Sequence, residues 1–325
     1  MLLNESEEAS KMRFKQSWGP SALSPHLMKS TLLLNFNASS TILVTEEGVT
    51  LDDAIKATGG FGRYHGFLIV FYVMSFMAAN FLLYNIDPLT QQPIYMCEVE
   101  DSVPLQYYEC TAEEICESNF TIPYKIDEDD VDSLDNWVET LDLMCTPEYK
   151  IYRISWVYYI GEIVGCILIS RIPDLYGRKL VLAICNAIQF PLFIAVLYSK
   201  SLSLTTAYGF FMGILHKNIY DGAYINIGEY FETKWKTPMC TLLLVFDMLS
   251  VIMVGFYWRY VSKDWLWLQV FAVSLNGLSI AGLFLLTETP EYLYSQYRFN
   301  ELRQALSKIA SWNKAESNLE NLKES

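Results

Sequence analysis

The sequence predicts an all-α integral membrane protein: six membrane-spanning helices, with a cysteine-bearing outer loop between the first two. Three observations carry this. Six stretches are apolar over about 20 residues, the length that crosses the hydrocarbon core of a bilayer. Apolar residues make up 52% of the 325-residue chain and charged residues only 18%, against about 25% charge in an ordinary soluble domain. The net charge of −14 is also concentrated: Asp87 to Lys150 holds seventeen acidic and two basic residues, while the rest of the chain is close to neutral. Such a balance disfavours nucleic acid as a partner, which requires a basic surface, and makes membrane lipid the expected surroundings.

Taken in order, residues 1–50 read as an N-terminal tail and 51–65 as an amphipathic lead-in helix. Thr50 and Asp53 form an approximate capping box at its start, and Gly59, Gly60 and Gly62 close it. The spans fall at 66–86, 152–172, 180–199, 204–231, 239–261 and 265–286, and 87–150 is the acidic extracytoplasmic loop. In the 287–325 tail, Phe299, Leu302, Leu306 and Ile309 repeat at helical spacing. Lys and Arg favour the cytoplasmic side. Arg171, Arg178 and Lys179 follow span two, Lys234 and Lys236 follow span four, and Arg298, Arg303 and Lys308 follow span six. Both ends are therefore expected on the cytoplasmic (or matrix) side, opposite the acidic loop. Glu5, Glu7 and Glu8 do not suit a secretory signal peptide. From Met12 to Thr45 there is no acidic residue, but there are Arg13, Lys15, Lys29 and six Ser. That stretch reads either as a mitochondrial transit segment, with the inner membrane as destination, or as a cytoplasmic tail.

Cys97, Cys110, Cys116 and Cys145 all lie in the acidic loop. In an oxidising compartment they form two disulfides, with three pairings open. There is no Cys-x-x-Cys pair to favour zinc, and no metal or cofactor is expected. Asn119-Phe120-Thr121 is a glycosylation sequon in the same loop.

Within the spans, Gly161 and Gly165 form a G-x-x-x-G that lets another helix approach closely. Glu162 between them is an ionisable group at membrane depth, expected to flank a cavity or to bond a neighbouring helix. His216, Lys217 and Asp221 occupy the centre of span four. Lys217 and Asp221, four apart, share a face and neutralise each other; they line a wet cavity or pin the helix to another chain. Asp247 in span five is an alternative partner for Lys217. No catalytic constellation is present, so an enzyme is not expected.

The turn after span two, Ser170-Arg-Ile-Pro-Asp174-Leu-Tyr-Gly177-Arg178-Lys179, resembles the G-x-x-x-D-x-x-G-R-K signature of the major facilitator superfamily. Leu51-Asp-Asp-Ala-Ile, Gly59-Gly-Phe-Gly62-Arg63, Leu141-Asp-Leu-Met-Cys145, Asp264-Trp-Leu-Trp-Leu-Gln269 and Glu288-Thr-Pro-Glu-Tyr-Leu293 narrow the resemblance to its organic cation/anion transporter family. Gly213, Tyr220, Ala223-Tyr224 and Glu229-Tyr230 fall in that family's register, and the likeness covers about residues 51–312. It departs at Ser170, at Glu291 where the family has Arg, and at Lys236 where it has Arg. The resemblance implies a cytoplasmic gating network of Asp174, Gly177, Arg178, Lys179, Glu229 and Lys236. It also implies a cavity lined by Glu162, His216, Lys217, Asp221, Tyr224 and Asp247. Family members have twelve spans in two halves with substrate between them, so the chain reads as the N-terminal six-span half. The expectation is transport of a small organic ion across the plasma membrane with a second six-span chain. The alternative is a transport-inactive structural subunit of a larger membrane complex.

Overall fold

The computed structural model describes residues 50–99, 106–117 and 122–316; nearly all of the N-terminal tail, and Asn119, lie outside the described residues. The chain opens with α1 (Leu51–Ala57) and α2 (Arg63–Thr90). A small domain follows, made of β1 (Tyr95–Glu98), β2 (Tyr107–Cys110), α3 (Ala112–Glu117), β3 (Tyr124–Ile126), α4 (Trp137–Thr140) and α5 (Glu148–Ile151). Then come α6 (Arg153–Ile169), α7 (Ile172–Tyr176), α8 (Arg178–Leu197), α9 (Leu202–Glu229), α10 (Thr233–Phe256), a π-helical turn (Tyr257–Val261) and α11 (Trp265–Leu285). The tail forms α12 (Pro290–Ser295) and α13 (Phe299–Asn313).

Among the described residues, five segments are long and apolar enough to cross a membrane: α2, α5 through α7, α8, α10 with its π turn, and α11. The fourth expected span, α9, has the length, 28 residues, but carries His216, Lys217, Asn218, Asp221, Asn226 and Glu229. It packs against α2, α6, α8 and α10, and His216, Asn226 and Glu229 are buried. These three meet protein rather than lipid, and Lys217 and Asp221, which are partly exposed, pair with each other, so the bilayer's demand for satisfied polar groups is met without an apolar composition. α11 packs on α2 and α8. Outward faces are apolar, as on α6 (Trp156, Ile160, Ile163, Ile167) and α10 (Val245, Met248, Ile252).

Several boundaries differ from the hydropathy reading. The lead-in helix stops at Ala57, because Gly59 and Gly60 take φ of +101° and +56°. The first spanning helix runs beyond 66–86 at both ends. At its start the Tyr64 amide donates to Asn313 Oδ1 at 2.9 Å. At its end Thr90 Oγ1 returns to Ile86 O at 3.0 Å, and Asn136 Nδ2 donates to the carbonyls of Pro88 (2.8 Å) and Gln91 (2.7 Å).

Contacts sort the loops to two ends of the bundle. At one end Tyr64 OH meets Thr287 Oγ1 (2.9 Å), Tyr292 OH donates to Leu175 O (3.3 Å) and Lys308 Nζ donates to Leu285 O (2.8 Å). The start of α2, the α6–α8 turn and the tail therefore share the basic end. α13 buries Leu302, Leu306 and Ile309 under the bundle. At the other end the acidic segment forms a cap. Its antiparallel sheet, in the order β2-β1-β3, pairs Tyr95 with both Cys110 and Ile126. Tyr95, Cys97, Ala112 and Ile115 form a small core, while Glu109, Glu113, Glu114, Glu128 and Asp129 stay exposed.

Two disulfides join Cys97 to Cys110 and Cys116 to Cys145, which fixes the pairing that spacing alone leaves open. The second closes the longer loop, 29 residues apart in sequence. Opening it by replacing both cysteines with serine should lower cap stability by about 2–5 kcal/mol. Alkylation of the native, unreduced protein should label exposed Cys166 and none of the four cap cysteines; labelling of all four would refute the pairing.

Candidate functional site

The signature turn owes its shape to Gly177, whose φ of +120° is inaccessible to most L-residues. A Cβ there would also stand 2.7 Å from Glu288 Oε2. The turn places Arg178 at the first position of α8, where Nη2 meets Asp174 at 3.1 Å and Nη1 meets Glu229 of α9. Glu229, with only 10% of its side chain exposed, also accepts from Thr289 Oγ1 at 2.7 Å. Glu288 accepts from the amides of Lys179 (2.7 Å) and Thr289 (3.2 Å). Lys179 Nζ donates to Leu286 O at 2.6 Å. Arg178 thus joins the α6–α8 turn to α9, and Glu229 and Lys179 carry the link to the end of α11. Lys236 does not enter this set. Its ammonium pairs with Glu291 at 2.6 Å, one of the positions at which the sequence departs from the family pattern.

Deeper in the bundle, α6 and α9 cross at glycines. A Cβ on Gly161 would collide with the Phe210 carbonyl, on Gly165 with the Ile214 carbonyl, and on Gly213 with the Tyr158 carbonyl. This backbone contact brings Glu162 Oε1 within 2.5 Å of His216 Nδ1. His216 Nε2 lies 3.1 Å from Asn80 Oδ1, and Asn80 Nδ2 donates to Asp247 Oδ1 at 2.9 Å. Asp247 also accepts from Tyr84 OH at 2.7 Å and Tyr220 OH at 3.4 Å. One chain of hydrogen bonds therefore links α6, α9, α2 and α10. Asp247 is accordingly not a partner of Lys217. Lys217 Nζ binds Asp221 Oδ1 at 2.9 Å, as spacing within one helix allows. Asn80 is the member that the charge-led sequence reading passes over. Its signal is an amide in the middle of an otherwise apolar first span.

A cleft of about 320 Å³ opens beside the signature turn, lined among others by Asp174, Arg178, Asn218, Asp221, Tyr224 and Asn226; of the expected cavity residues only Asp221 and Tyr224 line it, and Glu162, His216, Lys217 and Asp247 do not. Lys217 and Asp221 are partly exposed, so their attraction is set by the medium beyond the cleft. Asp221→Asn alone leaves Lys217 unpaired and should lower the melting temperature more than the double variant Lys217→Gln/Asp221→Asn. Additive effects in that cycle would show that the ion pair carries no coupling.

Residues 111–325 match the model of the sugar (and other) transporter family. The chain belongs to that family. Among curated relatives, solute carrier family 22 member 16 of Xenopus laevis is 26% identical over 174 residues, covering 53% of this chain and 30% of that protein. Solute carrier family 22 member 4 of Mus musculus is 26% identical over 173 residues (53% and 31%). Organic cation/carnitine transporter 5 of Arabidopsis thaliana is 25% identical over 182 residues (54% and 35%). These relatives bear out the resemblance to the organic cation/anion transporters of the major facilitator superfamily, and with the apolar helices they make the chain an integral membrane protein. The matched region spans about a third of each relative's length.

Proposed function

We propose that these six helices are the N-terminal half of a facilitator that carries a small organic ion across the plasma membrane, with the basic end in the cytoplasm. The observation that carries the reading is the cleft between the α6–α8 turn and α9, into which Asp174, Arg178 and Asp221 bring charge. A wall of charged and amide groups on membrane-spanning helices is costly against lipid and useful against a hydrated ion. Asp174, Gly177, Arg178, Lys179 and Glu229 act as the cytoplasmic latch, with Lys236 and Glu291 beside it. Glu162, Lys217, Asp221 and Tyr224 line or flank the route of the ion, with His216 and Asp247 behind them. In a facilitator the ion is held between two six-helix halves, so a second half completes the cavity. The expected activity is movement of substrate, not its conversion.

The test is uptake into liposomes by the native particle, over a panel of organic cations and anions. Saturable uptake of at least one probe, reduced at least tenfold by Asp174→Ala in a particle that still melts cooperatively, is the expected result. A well-folded particle that moves none of the probes would overturn the reading and favour a structural role within a larger membrane complex.

A further inference from the structure

The hydrogen bonds around His216 fix the position of one proton. Asp247 Oδ1 accepts from Asn80 Nδ2 and Tyr84 OH, and its Oδ2 accepts from Tyr220 OH. With its amide nitrogen committed there, Asn80 offers only Oδ1 to His216 Nε2. An amide oxygen accepts and never donates, so Nε2 must carry a hydrogen. The opposite nitrogen, Nδ1, faces a Glu162 oxygen at 2.5 Å. Two bare acceptors do not approach so closely; a hydrogen lies between them. It belongs either to an imidazolium facing a carboxylate or to a carboxylic acid facing a neutral ring. Both forms hold the same single proton and the same zero charge, so the proton belongs to the pair rather than to either residue.

We propose that Glu162 and His216 form a proton-binding site between α6 and α9, loaded and emptied through Glu162. His216 is 4% exposed and Glu162 20%, so the carboxyl is the member that can pass the proton to water as hydronium. Each helix packed around the ring contributes to its surroundings. From α6 come Glu162 and the Tyr158 ring, at 5.9 Å. From α2 comes Asn80, with Tyr84 behind it on Asp247, and from α10 comes Asp247, reached through Asn80. On α9 itself stand the Tyr220 ring at 6.1 Å and Lys217, whose charge Asp221 balances. Loss of the proton takes the pair from zero to −1 and sets two acceptors against each other at the glycine crossing. That weakens the α6–α9 contact and makes the wall more attractive to a cation. Resting for this step on the transport reading, an organic cation at the wall competes with the proton, and an organic anion is held better when the proton is bound.

The test measures the proton without requiring transport. The melting temperature of the purified native protein in nanodiscs is followed from about pH 5 to about pH 9, a range that brackets the charge change of histidine. A proton held in the fold and released on unfolding makes stability fall as pH rises. Wild type should therefore lose stability more steeply than Glu162→Gln, by about tenfold in the folding constant per pH unit for one linked proton. Glutamine donates to Nδ1 without needing that proton, so it keeps the contact. Parallel profiles would overturn the proposal. Nitrogen-15 spectra of the wild-type histidine rings provide a readout that needs no stable variant at Glu162, with His216 assigned by the signal lost in His216→Gln. Nε2 should keep its hydrogen throughout while the Nδ1 signal moves with pH. A ring with Nε2 bare, or with both nitrogens unchanged across the range, would also overturn it. Titration without uptake of any probe would defeat the transport reading alone; uptake with parallel profiles would defeat this proposal alone.

Discussion

Arg178→Ala should be among the most damaging single substitutions in the chain, lowering stability by about 3–5 kcal/mol. The cause is the carboxylate it leaves behind. Glu229 is nearly enclosed, and Arg178 is its ion-pair partner, with Thr289 supplying one hydrogen bond. Without the guanidinium it must stay ionised in a poor medium or take up a proton. The other partner of Arg178 shows the contrast: Asp174 is 63% exposed, so Asp174→Ala should cost about 1 kcal/mol or less, even though both contacts belong to one motif. Adding Glu229→Gln to Arg178→Ala should recover most of the loss, since glutamine still accepts from Thr289 and carries no charge. Arg178→Lys should fall in between, because a single ammonium cannot span Asp174 and Glu229 as a forked group does. Thermal melts of the five proteins in one detergent decide this. An Arg178→Ala midpoint no lower than that of Asp174→Ala would contradict it.

Gly213→Ala is the second large effect. One methyl group placed there meets the Tyr158 carbonyl, and main chain cannot move aside as a side-chain tip can. The helices must separate, costing about 3 kcal/mol, the upper part of the range for overpacking. Separation also draws His216 away from Glu162, so the variant should lose the pH dependence attributed to that pair. Gly255→Ala is the matched control. It lies on a spanning helix with nothing within 4 Å of the added carbon, and alanine favours a helix over glycine by up to about 1 kcal/mol. A Gly213→Ala protein as stable as the Gly255→Ala protein would mean that the close crossing does not constrain the bundle.

What could be read from the sequence depended on how far apart the partners lie along the chain. Asp174, Gly177 and Arg178 occupy one turn, so their geometry follows from spacing, as does the Lys217–Asp221 pair. The spans followed from hydropathy, although that measure is weakest at α9, where neighbouring helices take up the polarity. The partners of Glu162 and Asp247 could not be read. They come from helices 54 and 167 residues away in sequence, and no local pattern in one sequence encodes which helix lies beside which. Lys236 illustrates the same limit, since its partner Glu291 stands 55 residues on. Four cysteines in one loop announced two bridges, but only the sheet, whose register sets Cys97 opposite Tyr108 and diagonal to Cys110, selects that pair and leaves Cys116 for Cys145.

The acidic cap is fastened to this half at the end of α2 and at the start of α11, and packs on Leu202 at the start of α9. Asn136 holds the carbonyls that finish α2. At the start of α11, Lys263 Nζ donates to the carbonyls of Glu128 (2.5 Å) and Asp130 (2.6 Å), and the Trp265 indole donates to Thr140 (3.1 Å). All of these fastenings belong to the same six helices, so the cap travels as their passenger. If two halves rock about a central ion, a spin label on the cap near Asp129 swings with the first and sixth spanning helices. Its distance to a label on the second half then follows the opening of the outer mouth with no probe inside the membrane. A distance measured between cap and α11 should stay constant through every state of the cycle.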